Sequence, residues 1–72
     1  MTEQQYGTHL IKFHAERTSD GTYWIGKARV QYAHGRILRC FDVHGPAEKF
    51  HSKEAAEQHV LVLAKTLIDN FI

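Results

Sequence analysis

The chain has 72 residues, 43% of them hydrophobic, and a formal net charge of +1. That length makes a single domain near the lower size limit, where only about 60% of the unfolded chain's surface is buried, so self-association is expected to help stabilise it. Residues 8–43 carry six Lys or Arg against three acids, a weak basic bias that excludes a polycationic tail.

Met1 to Gly7 is polar and contains no basic and apolar signal run. It reads as a flexible leader (1–7) ahead of a single domain (8–72), and a cytoplasmic location is expected. The longest apolar stretch, Val60 to Ala64, is too short for a membrane span. Cys40 is the only cysteine, so an intramolecular disulfide is impossible and a reducing compartment fits.

From His9 the apolar residues Ile11, Phe13 and Ala15 alternate with Lys12, His14 and Glu16, the period of a strand. In the next segment Trp24, Gly26, Ala28, Val30 and Tyr32 share one face, and Tyr23, Ile25, Lys27, Arg29 and Gln31 the other. A two-residue Asp20-Gly21 loop pairing Ser19 with Thr22 sets Phe13 opposite Ala28 and Ile11 opposite Val30. A His34-Gly35 loop then predicts a third strand with Ile37 facing Tyr32, Phe41 facing Ala28 and Val43 facing Gly26. Arg39 falls on the apolar side of that pairing.

Gly45-Pro46 ends the third strand, since Pro has no donor to continue a ladder. Ser52 is a candidate N-cap, with Glu54 in the first turn. Ala56, Val60, Leu63, Ala64, Leu67 and Phe71 then form one helical stripe. The expected architecture is α+β: a three-stranded antiparallel meander (order 1-2-3) with one C-terminal helix packed on one face.

Two surfaces emerge from this pairing. Leu61, Ile68 and Ile72 widen the helical stripe beyond what one sheet face requires, which marks them as a candidate surface for a second copy or another partner. On the open sheet face Lys12 lies opposite Arg29 and His14 opposite Lys27, with Tyr23 on the same side. Like charges opposed across strands repel. Lys12, His14, Tyr23, Lys27 and Arg29 are therefore a candidate polyanion surface, with single-stranded nucleic acid as one ligand class.

Chemistry is harder to place. The six histidines show neither an i, i+4 helical pair nor a Cys-x-x-Cys partner, so no metal or other cofactor is expected. His44 and His51 flank the proline loop without a carboxylate to complete a site, and Cys40, expected beside Arg29, lacks a base. Catalysis generally requires a concave site with convergent polar groups, which this layout rarely encloses. The protein is read as non-enzymatic.

The order of strand, Asp-Gly turn, Tyr-Trp strand, basic third strand, Phe-His-Ser-Lys-Glu-Ala-Ala and apolar helix resembles small uncharacterised bacterial proteins of β-β-β-α layout. It is more loosely similar to the C-terminal part of a double-stranded RNA-binding domain, although the preceding helix is missing and only Lys53 stands where that family has a basic cluster. The first resemblance implies a fold and a homodimer. The leading expectation is a small homodimeric interaction module; the alternative is weak single-stranded nucleic-acid or polyanion binding.

Overall fold

Each hairpin turns at a glycine, and in two of them the glycine is the first residue of a two-residue loop. Gly7 (φ 61°) and Gly35 (φ 65°) hold the left-handed angle, and no non-glycine among the described residues does. The computed structural model describes residues 2–43 and 48–71. It contains β1 (Thr2–Tyr6), β2 (His9–Arg17), β3 (Trp24–His34) and β4 (Ile37–Val43), followed by α1 (Lys53–Phe71). The strands form one antiparallel sheet in the order β1-β2-β3-β4.

The three-stranded meander is thus corrected to a four-stranded sheet, and the β-β-β-α resemblance falls with it. The likeness to a double-stranded RNA-binding domain weakens as well, because the segment before β2 is another strand. The stretch read as a leader contains β1. Its sequence, Thr-Glu-Gln-Gln-Tyr, has only Tyr6 as an apolar residue on the inner side, too little for the hydrophobic period to show it. What holds β1 is pairing: Tyr6 sits opposite His9 across Gly7-Thr8, and Gln4 opposite Ile11.

The β2–β3 register matches the alternation, with Ile11 opposite Val30, Phe13 opposite Ala28 and Arg17 opposite Trp24. The turn between them is longer than expected. Thr18 N–H donates to Tyr23 O at 2.9 Å and Gly21 N–H to Thr18 O at 2.8 Å, closing a loop over Ser19 to Thr22. Both loops preserve the same pairing sum, which is why a wrong turn still yields the right register.

In β3–β4 the register is corrected by two residues. His34 pairs with Ile37 around Gly35-Arg36, so Ala28 meets Val43, Val30 meets Phe41 and Arg29 meets Asp42. A Gly-first loop places the positive φ on Gly35 alone, whereas the expected loop required His34 to share the special backbone. A shift of two leaves every side chain on its expected face.

Ser52 caps α1, its Oγ accepting from the Ala55 N–H at 3.1 Å. Just before it, Phe50 and Trp24 exchange main-chain hydrogen bonds of 2.8 and 2.9 Å, fastening the helix entrance to the start of β3. The helix packs chiefly on β3 and β2. Its early turns lie against Gly26, and near its end Asp69 accepts from the Tyr6 hydroxyl at 2.9 Å.

The core consists of Ile11, Phe13, Ala28, Val30 and Val43 from the sheet with Val60, Leu61, Ala64 and Ile68 from the helix. Leu61 is 6% exposed and Ile68 2%. These two were expected on a spare, outward helix face; instead they are buried in the core that the helix forms with the sheet. Lys65 and Asp69, next to them on the helix, both reach Tyr6 of β1, so this side of the helix looks toward the strand missing from the three-stranded scheme. Burying each such side chain is worth about 1.5–3 kcal/mol, more than a small domain can forgo. Ile72 lies outside the described residues.

Gly26 sets the helix–sheet distance. A Cβ built there overlaps the Ala56 carbonyl oxygen and lies 2.8 Å from Val60 Cβ. Gly26→Ala is expected to destabilise the fold by about 1–3 kcal/mol in urea unfolding, the overpacking cost exceeding the entropic gain of about 0.4–1 kcal/mol from losing a glycine. Stability equal to wild type would mean that the helix has room to move away.

Candidate interaction surfaces

The sheet face opposite the helix does bring together four of the five residues read as a polyanion surface. Lys12 is opposite Arg29 and His14 opposite Lys27, as the alternation requires. With Gln31 and Asp42 they line a shallow depression of about 490 Å³. Tyr23 is elsewhere in effect: at the end of the sheet its ring lies 5.3 Å from the His51 ring and 5.7 Å from Lys49 Nζ, so it contacts the segment leading into α1.

The repulsion that pointed to an external anion is relieved from within the chain. Glu3, supplied by β1, lies 3.8 Å from Lys12 Nζ. Arg29 Nε donates to Asp42 at 2.9 Å, a pairing created by the two-residue shift of β4. Glu16 receives His14 Nε2 at 2.9 Å on one oxygen and Lys27 Nζ at 3.0 Å on the other. Three cations thus face three carboxylates, leaving little net charge on this face when His14 is neutral. A polyanion must first displace these carboxylates, and it gains little from counterion release when the surface is already neutralised.

The hydrogen bonds from His14 and then Lys27 hold the Glu16 carboxyl below its ordinary range. The Arg29 guanidinium is pushed up, first by its hydrogen bond to Asp42 and then by that carboxylate's charge. These are exposed pairs, which contribute little to stability and are screened by salt. They matter here because they occupy the cations.

Sequence reasoning missed Glu3 on this face altogether, and it expected Asp42 on this face but not opposite Arg29. Glu3 had a local signal: Gly7-Thr8 is a second Gly-first loop, and extending the pairing backward from Tyr6 and His9 sets Glu3 opposite Lys12. Cys40 is also moved by the register, to a place directly opposite Gln31 and diagonal to Arg29. It is exposed. Among the described residues no group of three or more His, Cys, Asp or Glu is arranged to hold a metal. His44 lies outside those residues, and the His51 ring lies against Tyr23.

A different surface stands out at the other end of the sheet. Residues 33–40 are all exposed, so the β3–β4 hairpin extends as an arm beyond the cover of the helix. The molecule measures 43 × 19 × 17 Å as a result, against roughly 28 Å for a 19-residue helix. On β4 the arm carries Ile37, 59% exposed, and Leu38, 71% exposed. β4 is also a sheet edge.

No protein-family model, curated protein or solved structure matches this chain. No helix among the described residues is long and apolar enough to cross a membrane.

Two expectations follow for the open face. In an NMR pH titration the Glu16 carboxyl should titrate below a normal glutamate and return upward in His14→Ala or Lys27→Ala. A depressed folded-state pKa stabilises the native protein above the unfolded-state value, and that contribution disappears as pH falls through the folded-state value. Wild-type protein should bind mixed-sequence single-stranded RNA negligibly at physiological salt, whereas Glu3→Gln with Glu16→Gln should gain a salt-sensitive interaction. Tight wild-type binding would show that the internal pairs do not occupy the cations.

Proposed function

We propose that this protein is a small, non-enzymatic interaction module that works as a homodimer, joined through the β3–β4 arm. The observation that carries this reading is the exposure of Ile37 and Leu38 together on an edge strand clear of the helix. Isolated exposed apolar residues are ordinary, but on this edge Leu38 combines outward main chain with apolar area, and Ile37 beside it extends the apolar area to the other sheet face. A domain of 72 residues has a thin margin of stability, and association adds to it by mass action.

The helix surface does not support the same reading, because Leu61 and Ile68 belong to the core. Val62 is 61% exposed on α1, yet its helical neighbours Gln58 and Thr66 are polar. The arm is thus the better contact surface.

Sedimentation velocity is the test. Wild-type protein should sediment as a dimer at low micromolar concentration, and Leu38→Asp as a monomer with an unchanged circular dichroism spectrum, since a surface substitution alters monomer stability by only about 0.5 kcal/mol. A wild type that remains monomeric into the high micromolar range would dispose of the proposal.

A further inference from the structure

The two edges of the sheet are built differently. β1 has five residues and the side chains Thr, Glu, Gln, Gln and Tyr, and Gln5 folds its amide back onto the Gly7 carbonyl at 3.0 Å. Short, polar edges of this kind are poor templates for a further strand. β4 has seven residues, with Ile37, Leu38 and Cys40 exposed.

Hairpin geometry determines which main-chain groups of β4 face outward. In a two-residue hairpin the residues flanking the loop form a hydrogen-bonded pair, here His34 and Ile37, and such pairs alternate along the ladder. Ile37 and Arg39 therefore direct their N–H and C=O toward β3. Leu38 and Cys40, between them, direct theirs to the outer edge. Both occupy positions where the apolar or thiol side chain is also exposed.

Resting on the homodimer reading, we infer that two copies pair β4 against β4 in antiparallel fashion about a two-fold axis passing at Cys40. Antiparallel edge pairing places the axis perpendicular to the sheet, so the two four-stranded sheets become continuous and both helices lie on the same side. Opposed residues must share a face, which restricts the registers to steps of two. The register centred on Cys40 overlaps the full length of β4, setting Ile37 opposite Val43 of the second copy. Arg39 then faces Phe41 of the second copy, a cation against an aromatic ring. Centring on Arg39 would oppose two guanidiniums, and centring on Phe41 would leave Ile37 and Leu38 outside the ladder.

Sedimentation tests the dimer, and Cys40 tests the register. Cα atoms of a hydrogen-bonded antiparallel pair are about 5.5 Å apart, within reach of a short bismaleimide. At a concentration where wild type is dimeric, the reagent should capture most of the protein as a covalent dimer, and Cys40→Ser should dimerise without capture. Cys40→Pro deletes an outward N–H and no bond to β3, so it should sediment as a folded monomer. Amide exchange in wild type gives an answer independent of that variant's folding: protection of Leu38 and Cys40 should rise with protein concentration. A dimer without capture, or with exchange at these amides independent of concentration, overturns the register and leaves the homodimer standing. A monomeric wild type overturns both.

Discussion

The close approach of α1 to β3 at Gly26 is the constraint on which the rest of the structure depends. No side chain separates the Gly26 main chain from Ala56 and Val60, and Ala28 and Ala64 continue the small residues on either side of the contact. A helix seated this low directs both flanks of its apolar stripe into the sheet. Leu61 and Ile68 enter the core on one flank, while Leu63 and Leu67 pack against it on the other. Close packing of this kind gives a chain of 72 residues a contiguous apolar core without large side chains along its central line.

The seating explains why β1 can be almost entirely polar. Its inner residues contribute no apolar anchor except Tyr6, whose ring lies 5.6 Å from Lys65 Nζ and whose hydroxyl binds Asp69. That hydrogen bond, followed by burial and by the charge of Asp69, raises the Tyr6 hydroxyl above its ordinary range. The neutral phenol is therefore favoured by folding; the contribution is complete below the unfolded-state value and is lost as pH rises through the folded-state value. Beyond its ladder to β2, β1 is held by the contacts of Tyr6 with the helix and by the exposed Glu3–Lys12 pair, so it is the strand closest to independent opening.

What could be read in the sequence divides along the same line. The alternation in His9 to Glu16 and Trp24 to Tyr32 encodes a buried face, and slipping it by one residue would expose Ile11, Phe13 and Val30, so the β2–β3 register was fixed by the residues themselves. In β4 the face was equally clear, but a slip of two keeps Phe41 and Val43 inward. The choice between registers rests on which residues flank Gly35 in the turn and on the Arg29–Asp42 pair, which that turn brings together from a distance. β1 carried only a turn signal, Gly7-Thr8. Overlooking it made the open face seem too basic, because Glu3 was then missing.

The corrected charge pattern changes what the open face is for. Lys12, Lys27 and Arg29 lie in neighbouring positions across the strands, yet each is matched by a carboxylate from the same chain. Cross-strand ion pairs of this type favour one register over its neighbours even when each contributes little to total stability. Arg29 with Asp42 distinguishes the observed β3–β4 pairing from the one shifted by two; Lys12 with Glu3 does the same for β1. A solvated face of this kind specifies strand order, whereas the proposed contact rests on the arm, where β4 has passed beyond the helix and Leu38 is exposed.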